Sequence, residues 1–383
     1  MNLQKFIAQL DAADPTDLKH PQFQVKKKMF FNGQLAEMPA ETLQIDDGEV
    51  LVKIDKFAYT ANNITYAVAG DMLGYWQFFP AMGEKSEGYG VIPVWGFADV
   101  VASNSVGIPV GDRLFGYFPP ASHLKMKPTR ISDGRFVDGM EHRSQLPAGY
   151  NLYRRVNAEK HYSSTMDKER MLLFPLHLTS FCLWDALQDK DYYGAEQVIV
   201  LSASSKTSTG LGYALQADKK APDVIGVTSK RNVAMVEKLN LYDQTVTYDA
   251  IDSIDTNLPT VIVDMSGNAD ILLALHTQLG NNMKWCINVG LTHWDKAQPK
   301  PKAGMITERS EFFFAPGHIQ RRIKEWGPAG FDQKTARFMM ETAAKTKQWL
   351  TYRKIDGLAG MAEIHQAVCE GKIPANEGLI VEL

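Results

Sequence analysis

Gln197–Gln216 reads QVIVLSASSKTSTGLGYALQ, and Val224–Arg231, shortly after it, reads VIGVTSKR. The apolar run Val198–Leu201 ends in small hydroxyl residues and then opens into a helix-like pattern. A buried parallel strand running into the start of a helix has this appearance. Such a junction aims backbone N–H groups, and the positive end of the helix dipole, at an anion. The second run ends in Ser229, Lys230 and Arg231. A dinucleotide-binding sheet usually carries an acidic residue there, holding a ribose 2′-hydroxyl; two cations suit a 2′-phosphate instead. The helix dipole disfavours cations at a helix start, so a pair of them there asks for a bound anion. The expected ligand is NADP(H), and the expected chemistry is hydride transfer.

The phosphate-facing turn departs from the usual glycine fingerprint, since Ser202–Ser208 is SASSKTS. Glycine lets a backbone approach the pyrophosphate closely. Ser204, Ser205, Thr207 and Ser208 offer hydroxyls in its place, and Lys206 a charge. Hydroxyls that cap a helix and hydroxyls that meet a phosphate use the same geometry, so the two roles overlap. Two readings stay open: the pyrophosphate sits slightly farther out, or the turn no longer binds a dinucleotide. Lys206–Thr207 is like the end of a Walker A loop, but no glycines precede it, which argues against a nucleoside triphosphate.

From Gln197 to about Gly290, strand-like and helix-like stretches alternate, the pattern of a parallel sheet with crossover helices. Ahead of it, from Gln24 to about Gly116, short strands and tight turns suggest a small barrel. Within that region GEVLVKIDKFAY alternates over Val50, Val52 and Ile54. Residues 1–22 read as a short helix and a polar connector. Residues 119–165 are rich in Pro, Arg, Lys and His with little periodicity, a connection long enough to be functional or mobile. Met171–Gln188 reads as an apolar helix kinked or initiated at Pro175. After the alternating block come helices expected at Gln333–Leu350 and Met361–Cys369, then the strand GLIVEL.

At 383 residues the chain has room for about two domains. Hydrophobic residues make up 45% and charged residues 22%, an ordinary globular balance. The net charge of −3 argues against a protein that coats nucleic acid. No apolar stretch approaches the roughly 20 residues of a membrane span. The first 20 residues lack the pattern of a secretory signal, so the expected compartment is the cytoplasm. Cys182, Cys286 and Cys369 stand far apart in apolar surroundings, with no CxxC pair to build a zinc lobe. They read as buried, reduced thiols.

The order and spacing of these pieces resemble the medium-chain dehydrogenase/reductase superfamily. GEVLVKIDKFAYTANN looks like its early strand and active-site loop. GFADVVASNSVGIPVGDRLFGY is similar to its Gly-rich strand, turn and Gly-Asp-Arg segment, here Gly111–Arg113. LTSFCLWDAL, with Thr179, resembles the helix entering the cofactor domain. DMSGN, with Gly267, and VGLTHW, with Gly290, Thr292 and His293, stand where the superfamily has later cofactor-binding turns. The resemblance implies an α/β architecture, a GroES-like β-barrel catalytic domain interrupted by a Rossmann doubly wound parallel-sheet domain. The expected limits are 1–170 and 312–383 for the former and 171–311 for the latter.

Within the superfamily the chain looks zinc-free, because the loop Ala58–Asn63 has no Cys where zinc alcohol dehydrogenases carry one. It is similar to the quinone oxidoreductases and enoyl reductases, as a divergent bacterial branch of unknown function. In those enzymes a loop begins with an Asn and, in the enoyl reductases, ends in a proton-donating Tyr. Asn62 and Tyr75 take those places here, with Tyr59 and Tyr66 as further acid candidates. The implied activity is an NADPH-dependent reduction of a small activated acceptor, an α,β-unsaturated carbonyl or a quinone. A non-catalytic, regulatory NADPH-binding protein on the same fold is the alternative. The resemblance also suggests a homodimer; charge and hydropathy lead to the expectation of no nucleic-acid or membrane partner. His142 and Arg143, in the segment that matches nothing in those enzymes, read as a surface charge pair, and Asp112–Arg113 as a structural turn.

Overall fold

The computed structural model describes residues 18–160, 162–290 and 302–383. The helix expected before residue 18 therefore lies outside the described residues. The chain divides into two compact units, Met1–Leu172 with Tyr352–Ile373 and Glu377–Leu383, and Leu173–Thr351 with Pro374–Asn376.

In the first unit the strands are β1 (Pro21–Lys26), β2 (Met29–Glu37), β3 (Val50–Tyr59), β4 (Tyr89–Gly90), β5 (Val94–Ser103), β6 (Arg113–Phe118), β7 (His123–Met126), β8 (Pro128–Thr129), β9 (Arg135–Asp138) and β10 (Leu152–Arg155). The helix α1 (Ala61–Val68) follows β3, and α2 (Asp167–Asp189) contains the division between the units. β3 organises the larger sheet. Along one edge it pairs with β5, while Val50–Lys53 pair with β7 and Lys56–Tyr59 with the last strand of the chain. Register shifts at Leu51/Val52 and Ile54/Lys56 allow this. An extra residue bends a strand and flips its facing, so after the even-numbered Val50, Val52 and Ile54 it is Phe57 that turns inward.

The 119–165 segment adds β8, β9 and β10 beside β6. Arg113 ties this unit together. Its guanidinium bonds Asp99 at 2.9 Å and Asp55 at 2.6 Å, and its Nε donates to the Tyr162 hydroxyl at 3.1 Å. Tyr162 in turn donates to the buried Asp167, and Arg155 pairs with Asp112 at 2.7 Å.

The second unit holds β11 (Gln197–Leu201), α3 (Lys206–Ala217), β12 (Asp223–Thr228), α4 (Val233–Leu239), β13 (Gln244–Thr247), β14 (Thr260–Asp264), α5 (Ala269–Leu279), β15 (Met283–Asn288), β16 (Ser310–Phe312) and α6 (Ala315–Thr346). The strand order is β13-β12-β11-β14-β15-β16, parallel throughout. The order reverses between β11 and β14, the kind of point at which open α/β sheets bind ligands. Alternate residues of β11 feed two cores. Ile199 and Leu201 pack with Leu272, Leu275 and Leu279 of α5, whereas Val198 and Val200 pack with Leu211 and Leu215 of α3 and Leu183 and Leu187 of α2.

α6 starts well before the expected Gln333. Gly327 breaks the helix at φ 73°, ψ 160°, and Pro328 then stands at the head of a new helical run, where its missing N–H costs nothing. The Gly-Pro pair conceals the first segment from a reading of periodicity. Both segments pack on α2. Phe331 and Phe338 meet Phe181 with ring centroids 6.4 and 5.6 Å apart, and His318 and Arg322 bond the Asp185 carboxylate at 2.6 and 2.5 Å. The second compact unit runs to Thr351.

The chain then re-enters the first unit through β17 (Thr351–Asp356), α7 (Gly357–Cys369) and β18 (Glu377–Glu382), the strand that pairs with Lys56–Tyr59. Cys182, Cys286 and Cys369 are buried, and none forms a disulfide among the described residues. No helix among the described residues is long and apolar enough to cross a membrane.

Candidate functional site

At the end of β11 the backbone turns sharply. Ser202 takes φ +61°, a left-handed conformation that glycine usually supplies. Ala203 N–H donates to Val227 O (2.9 Å) and Ser205 N–H to Ser202 O (2.8 Å), closing the turn. Ser205 caps α3: its Oγ accepts from Ser208 N–H at 3.1 Å and donates to Ser208 Oγ at 2.8 Å. Ser204 Oγ accepts from Asn232 Nδ2 at 2.9 Å. Thr207 O accepts from Ser180 Oγ at 2.7 Å, and Lys206 Nζ donates to Ala375 O at 3.2 Å. Thr179 bonds back to Pro175 O at 2.8 Å along α2. The glycines of this segment come later, inside α3. A Cβ on Gly210 would lie 2.5 Å from Ser180 Oγ and 2.8 Å from His177 Cδ2, so its absence lets α3 close on α2.

β12 ends beside this turn. Thr228 is 1% exposed, and its Oγ1 has no hydrogen-bond partner among the described residues; the buried Ser229 Oγ has none either. Nothing in the strand pattern of VIGVTSKR singles out Thr228, because a strand-end threonine is ordinary until its hydroxyl is found stranded. Lys230 and Arg231 belong to a 3-10 turn, Lys230–Asn232, that leads into α4, and both are exposed. Lys230 Nζ lies 2.6 Å from Asp249 Oδ2, which raises the lysine and holds the Asp249 carboxyl down at about 2.

At the end of β14, Asp264 is almost fully buried and accepts from Ser266 N–H (2.7 Å), Ser266 Oγ (2.6 Å) and Gly267 N–H (3.0 Å). Gly267 sits at φ +67°. A Cβ on Gly290 would come within 2.5 Å of Met265 O, so the end of β15 can pass this turn only without a side chain. Thr292 and His293 lie outside the described residues. The turn after β11, Thr228–Arg231, Asp264–Gly267 and Gly290 thus gather at the carboxyl ends of four adjacent strands.

Burial pushes the Asp264 carboxyl up to about 6, against the opposing hydrogen bonds of Ser266 and Gly267. An acid whose folded pKa exceeds its unfolded value of roughly 3.9 binds its proton more tightly when folded, so it lowers stability as pH rises between these values. The difference between these two values corresponds to about 3 kcal/mol. Chemical denaturation at pH 4 and pH 7 should show wild type losing roughly this amount relative to Asp264→Asn over that interval. Parallel pH profiles for the two proteins would rule this out.

In the first unit, four phenols converge. Tyr66 (α1), Tyr75 (in the 3-10 turn Tyr75–Gln77), Tyr117 (β6) and Tyr150 (in the turn Ala148–Tyr150) have ring centroids 4.6 Å apart for Tyr66–Tyr75, 4.7 Å for Tyr117–Tyr150 and 5.8 Å for Tyr75–Tyr150. Trp95 and Phe78 complete the cluster. The Tyr75 and Tyr150 hydroxyls are 2.9 Å apart. Burial raises the Tyr75 phenol above its ordinary value, and the bond to Tyr150 opposes that rise. Burial also raises Tyr66, with Trp95 and Asn62 as opposing hydrogen-bond partners. Tyr117 O–H has no partner among the described residues.

Tyr59 stands apart from this group. Its hydroxyl is 2.6 Å from His365 Nδ1, and His365 Nε2 is 2.6 Å from Phe30 O. A carbonyl only accepts, so Nε2 carries the proton and Tyr59 donates to Nδ1. Asn63, rather than Asn62, closes the turn: its Oδ1 accepts from Thr60 N–H and its Nδ2 donates to Pro93 O.

Tyr117 and Tyr150 are sequence positions that periodicity does not mark. Arg143 is a correction as well, being 1% exposed rather than at the surface. It is ion-paired with the buried Asp138, donates to Phe78 O at 3.3 Å and lies over the Phe79 ring. Among the described residues, no group of three or more His, Cys, Asp or Glu side chains is placed to hold a metal ion.

No curated protein matches the chain by sequence. A family described as "Protein of unknown function (DUF2855)" matches residues 57–374. Solved structures share the fold at low identity. CurA from Vibrio vulnificus in complex with NADPH is 15% identical, covering 92% of this chain and 94% of its own, with TM-score 0.57. A putative NADPH:quinone reductase from Mesorhizobium loti is 12% identical, over 97% and 100%, with TM-score 0.58. The Etr1p/NADP/crotonyl-CoA complex is 15% identical, over 95% and 99%, with TM-score 0.56. The chain therefore has the mixed α/β fold of these structures.

Proposed function

The chain belongs to the DUF2855 family, and on that premise we propose that it is an NADPH-dependent, zinc-independent reductase of an activated acceptor, an α,β-unsaturated carbonyl or a quinone. The observation that carries this reading is the parallel order β13-β12-β11-β14-β15-β16 with stranded hydroxyls at its carboxyl edge. In this reading the second unit is a Rossmann domain and the first a GroES-like one.

The residues fit a dinucleotide phosphate. A buried hydroxyl without a partner costs about 1–3 kcal/mol, and a phosphate oxygen or ribose would satisfy Thr228 and Ser229. The start of α3 and the Ser204–Ser208 turn would hold the pyrophosphate. Lys230 and Arg231 would hold the 2′-phosphate, with Lys230 exchanging Asp249 for it. Gly267, at φ +67°, would present its backbone there, while Gly290 lets the chain after β15 pass the Met265 carbonyl. When bound, the cofactor supplies a hydride.

The chain supplies orientation and a proton. Tyr75 is the proton donor, its buried phenol remaining neutral at ordinary pH. The loop Ala58–Asn63 offers no cysteine ligand for a zinc that would polarise an isolated carbonyl, so the acceptor is one whose carbon is already electrophilic. The unpartnered Tyr117 O–H, in the same cluster as Tyr75, suits a carbonyl oxygen. CurA with NADPH and the NADP complex of Etr1p support the cofactor assignment by fold.

One observation favours the non-catalytic reading: Ser205 and Ser208 already satisfy each other, leaving that turn less need of a ligand. Fluorescence titration with NADPH and NADH, followed by a panel of enones and quinones, separates the two. The expected result is preferential NADPH binding with turnover of at least one acceptor. Tight NADPH binding without consumption would leave the regulatory reading, and absence of dinucleotide binding would remove both.

A further inference from the structure

The 119–165 segment has a role beyond extending the sheet edge. It carries Tyr150, whose hydroxyl is 2.9 Å from that of Tyr75, 75 residues away. The Tyr150 ring is fixed by Tyr117 at 4.7 Å, Phe78 at 5.2 Å and Trp95 at 6.2 Å. Its backbone is fixed from the other side. Asn151 Nδ2 donates to Arg143 O at 2.8 Å, and Arg143 joins Asp138, Phe78 O and the Phe79 ring. Desolvating two charges is expensive, and a buried ion pair is a poor source of stability compared with apolar packing. What this pair does supply is a rigid connection between the Tyr150 turn and the Phe78–Phe79 segment that follows Tyr75.

Resting on Tyr75 as the proton donor, we propose that Tyr150 is its positioning residue, and that the 119–165 segment exists in part to bring it there. In the protonation step the Tyr75 O–H bond breaks and a C–H bond forms at the enolate carbon, leaving a phenolate. Tyr150 O–H donates to that phenolate oxygen and stabilises it; water returns the proton to Tyr75 after product leaves. The directions of the two phenols agree, since the mutual bond lowers Tyr75 and raises Tyr150. The titratable groups around the pair are Tyr66 on α1, Tyr117 on β6, and the Arg143–Asp138 pair behind Phe78 and Phe79. His142 contacts Phe78 O at 3.2 Å.

The test is steady-state NADPH consumption by Tyr150→Phe, which keeps the ring, alongside Tyr75→Phe and wild type. Hydrogen bonds to charged groups are worth enough that kcat should fall about 10- to 100-fold, with KM for the acceptor nearly unchanged. Without its donor the Tyr75 phenolate is less stable, so the alkaline fall in kcat/KM should move to higher pH. A raised KM with unchanged kcat and an unmoved alkaline limb would make Tyr150 a packing residue and overturn the proposal. Loss of activity in Tyr75→Phe with a wild-type Tyr150→Phe would overturn it while leaving Tyr75 as donor. A wild-type protein that consumes NADPH with no acceptor in the panel would overturn both.

Discussion

Tyr75→Phe should bind NADPH as wild type does and yet reduce its acceptor at least about 100-fold more slowly. A positioned general acid contributes roughly 10²- to 10⁴-fold, and the substitution removes the hydroxyl, with its bond to Tyr150, while keeping the ring. The phenyl ring keeps the 4.6 Å packing against Tyr66 and the contact with Phe78, so the cluster should stay folded. Burial holds the Tyr75 phenol above its ordinary value. The donor is then protonated across the physiological range, and wild-type turnover should fall only in alkali. Stopped-flow absorbance at the NADPH band, at saturating cofactor, reads the chemical step directly. Activity within a few-fold of wild type would transfer the donor role to another group or to water.

The paired substitution Lys230→Ala with Arg231→Ala should weaken NADPH about 10- to 100-fold while changing NADH by less than about threefold, because only the 2′-phosphate distinguishes them. Asp249→Asn should act in the opposite sense. Lys230 now bonds Asp249, and a carboxylate beside a phosphate repels it. Removing that charge should tighten NADPH several-fold and leave NADH alone. Both effects should shrink with added salt, since these side chains are exposed. Equal losses for the two cofactors would mean that the cations take no part in discrimination.

The alternation of strand and helix from Gln197 onward is legible because period-2 and period-3.6 patterns are local. β11, β12, β14, α5 and β15 all lie where the periodicity predicts them. The start of α6 is not, because Gly327–Pro328 interrupts the local pattern while packing against Phe181 sustains the helix on both sides. Arg143 misleads for a related reason. A polar, aperiodic stretch reads as surface, and only a partner such as Asp138 makes burial of its charge tolerable.

By itself, the sequence determined the parallel sheet, the hydroxyl-rich turn after its first strand and the two cations after its second. These follow from residue types in consecutive positions, where backbone periodicity and helix-end chemistry act. Tertiary structure alone decided which hydroxyls are already engaged and which remain. Ser204 is taken by Asn232 from 28 residues away, Tyr59 by His365 from 306 residues away, and Thr228 is left with none among the described residues. The meeting of Tyr75 with Tyr150 belongs to the same class. A hydrogen bond depends on two groups reaching within about 3 Å, and between distant residues that proximity is set by packing rather than by pattern.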